Sequence, residues 1–112
     1  MEICIKNKDC IITPLSKRLD ERASSRLKAE ITEHLLFNIG IDMSYVEDCT
    51  IDFIEAVRNK RVSLFNVSSE ILTLFNIMGV DKCANLYIFE NDFKNNANRM
   101  LKREFKIVRE LT

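Results

Sequence analysis

A chain of 112 residues and 13.1 kDa is sized for one domain and leaves no room for a second core. Its 46% hydrophobic and 30% charged content suits a packed globule. Seventeen basic residues cancel seventeen acidic ones, so no general field draws the chain to nucleic acid or to an anionic membrane. Two glycines exclude a glycine-rich phosphate loop and a dinucleotide fingerprint, and one histidine, His34, is too little for a histidine-built zinc site or relay.

Glu2 to Lys6 alternates apolar Ile3 and Ile5 with Glu2, Cys4 and Lys6; Asn7-Lys8 interrupts, and Cys10 to Leu15 is apolar again up to Pro14. This pattern predicts a hairpin of two short strands. From Leu19 the period changes: Leu19, Ala23, Leu27, Ile31 and Leu35 recur every four residues, which predicts an amphipathic helix of about four turns. Ser16, Asp20 and Glu21 suit its positive end, and His34 flanks the apolar stripe near the other end as a half-buried or dipole-stabilised side chain. Phe37 to Met43 reads as a strand. Thr50 is placed to N-cap a helix carrying Phe53, Ile54 and Val57, and Arg61 to Val67 reads as another strand.

Ser68 can cap the next helix, whose stripe is Ile71, Leu74, Phe75 and Met78, with Gly79 and Val80 as a left-handed stop and its apolar contact. Leu86 to Phe89 is a last short strand before a long helix, about 92–111, with Phe93, Ala97, Met100, Leu101, Phe105, Val108 and Leu111 on one side. The predicted order is β-β-α-β-α-β-α-β-α. Strands alternating with helices imply crossovers and a mostly parallel sheet, with the N-terminal hairpin as an antiparallel edge. The expected fold is therefore a single α/β domain over residues 1–112, with about five strands in a mixed, mostly parallel sheet and four helices.

Cys4, Cys10, Cys49 and Cys83 show no C-x-x-C spacing and sit in apolar or strand-like settings, where cysteine acts as a small hydrophobe. Free thiols, no membrane-spanning run and no signal-peptide core point to a cytoplasmic protein without metal or intrinsic cofactor. The stretch from Gly40 to Val57 holds Asp42, Glu47, Asp48, Asp52 and Glu55 and no basic residue. It surrounds a strand-to-helix turn, where open α/β sheets place binding surfaces. Two readings stay open: a solvated acidic rim, or a contact surface for a basic partner. No activated nucleophile, oxyanion donor pair or neighbouring base accompanies these carboxylates, so an enzyme is not expected. Arg99, Lys102, Arg103, Lys106 and Arg109 share a helix with Glu104 and Glu110 and no interleaved aromatic platform, which reads as a solvated face and not as a nucleic-acid site.

Ser16-Lys17-Arg18-Leu19-Asp20 before a helix, Asp42-Met43-Ser44-Tyr45-Val46 before a turn and helix, and Phe65-Asn66-Val67-Ser68 before a helix closed by Met78-Gly79-Val80 together resemble the STAS domain. That family includes anti-sigma factor antagonists and the cytoplasmic tails of sulphate transporters, and the likeness spans roughly Ile3 to Phe93. The family pattern Asp-Leu-Ser-x-Val, three residues, then Asp-Ser-Ser-Gly-Leu is matched at Asp42, Met43, Ser44 and Val46. Its second half falls on Thr50, Ile51, Asp52, Phe53 and Ile54, so the phosphorylated serine of kinase-regulated members would be Ile51. A two-residue shift puts Asp48-Cys49-Thr50-Ile51 there and Cys49 at the serine. Neither register keeps the phosphoacceptor.

The resemblance implies a bacterial-type, non-enzymatic signalling protein in transcription regulation. Its partner would be an anti-sigma factor kinase, a sensory assembly or a transporter subunit. The partner-binding candidates are Asp20, Ser44, Glu47, Asp48, Thr50, Ile51, Asp52 and Glu55. The alternative is a structural or oligomerisation module whose C-terminal helix packs on a second copy, giving a homodimer.

Overall fold

The computed structural model describes residues 1–58, 61–78 and 85–86. Hydrophobic alternation sets the first element: β1 (Glu2–Lys6) and β2 (Asp9–Thr13) pair antiparallel in a register from Glu2↔Thr13 to Lys6↔Asp9. The two-residue connection turns on Asn7 at φ 57, a left-handed conformation that asparagine tolerates. α1 (Glu21–Glu33), β4 (Asn38–Asp42), α2 (Ile51–Val57), β6 (Val62–Phe65), α3 (Ser69–Met78) and β7 (Asn85–Leu86) follow. The sheet order β1-β2-β4-β6-β7 is antiparallel only at its first pair. The mixed, mostly parallel five-stranded sheet with an N-terminal hairpin is thus as expected. Three helices are described; the fourth, predicted over 92–111, lies outside the described residues, as do Gly79, Val80 and Cys83.

Each crossover from β2 onward steps in the same direction along the sheet. With right-handed connections, α1, α2 and α3 therefore cover one face. Register places Cys10, Ile12, Ile39, Ile41, Val62 and Leu64 on a common face, every one of them buried. They form one core with Leu27 and Ile31 of α1, Phe53, Ile54 and Val57 of α2, and Ile71 and Phe75 of α3. Among the described strands the order does not reverse from β2 to β7, so they form no switch-point crevice of the kind that holds nucleotides in doubly wound folds. What its carboxyl ends offer is a surface.

Two short strands depart from expectation. β3 (Arg18–Leu19) and β5 (Asp48–Cys49) form a separate parallel pair, Arg18↔Asp48 and Leu19↔Cys49. Leu19 is thus a buried strand residue and not the first rung of the helix, whose N-cap is Asp20, accepting from the Ala23 backbone N–H at 2.9 Å. At the other end Leu35 lies beyond α1 and is exposed, so only Ala23, Leu27 and Ile31 of the predicted stripe belong to the helix. His34 closes α1: it is half-buried, its Nδ1 lies 2.9 Å from the Glu30 carbonyl, and its ring leans on Phe37. Ser68 caps α3 as expected, its Oγ accepting from the Ile71 N–H at 3.2 Å.

Burial divides the cysteines. Cys10 and Cys49 are buried in the core, but Cys4 is exposed on the edge strand, contrary to its apolar setting in sequence, because β1 has a neighbour on one side only among the described residues. Burial, and then the charge of Asp48, push the Cys49 thiol up to about 11. The Cys10 thiol is raised too, by burial first and then by Glu30 and Cys4. Thiolates are the reactive form, so iodoacetamide at pH 8 is expected to label Cys4 in the native protein and Cys10 and Cys49 only after unfolding. Native labelling of Cys49 at the Cys4 rate would show that the core is misplaced there. A folded pKa above the unfolded value means that protonated Cys49 favours the native state. Its contribution is full below about 9 and is lost as pH rises toward about 11.

Candidate functional site

The acidic turn leaves the carboxyl end of β4 at Asp42. One oxygen of that half-buried carboxylate, Oδ1, accepts from the Ser44 backbone N–H at 3.0 Å, the Ser44 hydroxyl at 2.7 Å and the Asn66 side-chain amide at 3.2 Å. Asn66, at the end of β6, holds φ 57, and the Met43 N–H donates to the Phe65 carbonyl at 3.0 Å. These bonds lock the ends of β4 and β6 together and fix the direction in which the turn departs. Met43 and Val46 are buried beneath it, and the Val46 N–H returns to the Met43 carbonyl. Tyr45 stands outside, 55% exposed.

β3 and β5 carry the turn into α2. The Lys17 carbonyl accepts from the N–H groups of Glu47 (2.7 Å) and Asp48 (3.1 Å), and the Leu19 carbonyl accepts from the Thr50 N–H at 3.0 Å. Across this clamp the Arg18 guanidinium meets the Asp48 carboxylate at 3.3 Å, both well exposed, a pair worth little to stability. The clamp's effect is positional: it sets the start of α1 beside the start of α2.

Thr50 has the extended backbone of an N-cap, φ −104 and ψ 175, but its hydroxyl accepts from no backbone N–H, contrary to expectation. Pinned through its own N–H to the Leu19 carbonyl, Thr50 turns its hydroxyl the other way. The single proton is shared between the Asp52 carboxylate at 3.0 Å and the Leu19 carbonyl at 3.2 Å. Asp52 in the first turn of α2 complements the positive end of the helix. Ile51 opens α2 and is 66% exposed, whereas Phe53 and Ile54 behind it are buried. Glu47 and Glu55 are exposed, and Glu55 makes a long 3.8 Å pairing to Arg58.

Of the sequence candidates, Ser44, Glu47, Asp48, Thr50, Ile51, Asp52 and Glu55 thus lie along one turn and helix start. Asp20 is a helix cap on the adjoining segment, tied in by Leu19.

Two features escaped the sequence reading. Arg18, Arg22 and Arg26 line a solvent-open groove of about 200 Å³ with Met1, Leu15 and Ala23. At the far end of α1, ligand atoms of Glu30, Glu33 and His34 lie within 4.8 Å of one another, the one group among the described residues that could approach a cation. Its only sequence signal is the i, i+3, i+4 spacing at a helix end that carries no basic residue.

No family model matches the sequence, and no curated protein matches it at the level of sequence. Solved structures do match in fold. The anti-sigma factor antagonist SpoIIAA in its unphosphorylated form superposes with a TM-score of 0.61 at 13% identity, covering 88% of this chain and 96% of that one. The Bacillus cell fate determinant SpoIIAA in its phosphorylated form gives 0.53 at 15% identity, covering 86% and 97%. The described helices are none of them long and apolar enough to cross a membrane. At these identities the likeness is one of architecture, and the chain has the STAS-like fold of the SpoIIAA anti-sigma factor antagonists.

Proposed function

We propose that this chain is a non-catalytic regulator of the anti-sigma factor antagonist type, docking on a partner protein through the turn and helix start from Ser44 to Glu55. The observation that carries the reading is Ile51: a large apolar side chain at 66% exposure at the start of α2, in a stretch of chain that also carries the exposed acids Glu47, Asp48 and Glu55 and the first-turn acid Asp52. An apolar anchor within a charged rim is the make-up of a docking site, the anchor giving affinity and the rim steering the approach. The partner surface would be an apolar pocket with basic margins, on an anti-sigma factor kinase, a sensory assembly or a transporter subunit.

SpoIIAA is known in phosphorylated and unphosphorylated forms. Here the family register puts Ile51 at the acceptor position, and Asp52 supplies fixed negative charge beside it. The nearest hydroxyl, on half-buried Thr50, has its proton engaged, and a phosphate there would face the Asp52 carboxylate. The reading is therefore a docking protein without the serine switch.

Capture of the tagged protein from its native host, followed by binding kinetics, tests this. Asp52→Lys is expected to slow association with the captured partner roughly tenfold at low salt, with the difference shrinking as salt screens the rim. Association indifferent to both the reversal and ionic strength would remove the rim from the interface. Stoichiometric phosphate on Thr50 in protein isolated from the host would restore a phospho-switch.

A further inference from the structure

Beside the acidic turn, on the other side of the Arg18–Asp48 pair, lies the arginine groove. Its walls are Arg18, Arg22 and Arg26, and its apolar lining is Met1, Leu15 (50% exposed) and Ala23. Arg22 and Arg26 sit one helical turn apart on α1 and have no acidic partner among the described residues. Among the described residues the groove holds no aromatic side chain on which a base could stack, and the one acid among them, Asp20, is occupied as the cap of α1. What fits it is an apolar side chain flanked by carboxylates. That description is met on the same molecule by exposed Ile51, with Glu47, Asp52 and Glu55 near it in sequence.

We infer that the groove is the seat for the acidic turn of a second copy of this chain, so that two molecules associate face to face about a twofold axis near Arg18 and Asp48. Twofold symmetry makes the contact reciprocal: each copy's Ile51 enters the other's groove, and each copy's arginines meet the other's carboxylates. The geometry favours this because the basic groove and the acidic turn are joined at Arg18 and Asp48, so both halves of the match lie next to each other. The chain's zero net charge leaves no overall repulsion between copies. Guanidinium forks match carboxylates in geometry as well as in charge. A dimer of this kind covers the turn assigned above to partner docking, so self-association and docking compete for one surface. The inference needs only the pure protein, and it fails or stands separately from the docking reading.

Sedimentation equilibrium on the purified chain tests it, with paired charge reversals at exposed positions that make no cap or core contact. At tens of micromolar and low salt the wild-type chain is expected at twice its 13.1 kDa, falling toward monomer in high salt. The groove variant Arg22→Glu with Arg26→Glu, and the turn variant Glu47→Lys with Glu55→Lys, are each expected to be monomeric, with at least about a tenfold weaker self-association. An equimolar mixture of the two restores a dimer, since the acidic groove of the first then faces the basic turn of the second, and the unaltered basic groove of the second faces the unaltered acidic turn of the first. Circular dichroism and unchanged urea midpoints establish that both variants fold. A wild-type monomer at every concentration overturns the inference. So does a dimer that survives both reversals, which would place the interface elsewhere, or a mixture that stays monomeric.

Discussion

Phe53→Ala is expected to destabilise the fold by about 3–5 kcal/mol, the cost of emptying a large, fully enclosed site. Phe53 is wholly buried, and its ring stacks on that of Phe75 with centroids 5.6 Å apart and planes 5° from parallel. Removing it deletes the apolar bridge between α2 and α3 and strips one face of Phe75. Against a total of about 5–15 kcal/mol for a domain, that is a large share. The urea midpoint should fall steeply with little change in slope, while Phe53→Leu should cost about 1.5 kcal/mol or less. The neighbouring substitution gives the contrast: Ile51→Ala removes a side chain that is mostly in water and should move the midpoint by about 0.5 kcal/mol at most. Two apolar residues in one helical turn thus divide the work, Phe53 fixing the turn to the core and Ile51 facing outward. A Phe53→Ala midpoint within 1 kcal/mol of wild type would mean that α2 is not anchored as described.

That division was only half legible in the sequence. Phe53, Ile54 and Val57 announce a buried helix face through their spacing, and the hairpin, β4, β6 and α3 follow from equally local patterns. Local pattern fails where pairing is distant. β3 and β5 are two residues each, too short for any alternation, and exist because the Lys17 and Leu19 carbonyls find N–H groups some thirty residues away. Leu19 then fell into helical register by a coincidence of spacing, its burial read correctly and its element wrongly. The sequence leaves Ile51 out of the buried stripe, and the resemblance alone names it as a binding candidate; its 66% exposure becomes visible only once α2 is placed. The arginine groove needs Met1 and Leu15 beside α1, and in the sequence its three arginines are lost among acids and lysines. The order of motifs carried the fold, and the candidate residues were nominated because a stretch with acids and no bases needs no tertiary information to be seen.

Asp42→Ala is expected to cost about 2–3 kcal/mol and to loosen the acidic turn selectively. One carboxylate oxygen receives three donors, from the Ser44 backbone, the Ser44 hydroxyl and the Asn66 amide. Hydrogen bonds to a charged acceptor contribute about 1.5–3 kcal/mol each when buried, and partial exposure lets water replace some of that here. Alanine leaves the Ser44 N–H and the Asn66 amide without their acceptor. It also removes the restraint that holds Asn66 at φ 57, a conformation that non-glycine residues keep only when their surroundings impose it. Asp42→Asn retains an acceptor oxygen but loses the charge, and should fall between wild type and alanine. Amide hydrogen exchange separates a local effect from a global one. Exchange at Ser44 should quicken by far more than the drop in global stability accounts for, while the core amides of β2 and β4 slow or quicken only with the unfolding midpoint. Equal acceleration throughout would mean that Asp42 stabilises the sheet as a whole and leaves the turn to be shaped by the β3–β5 clamp alone. A protected Ser44 amide in Asp42→Ala would show that the clamp suffices without the carboxylate.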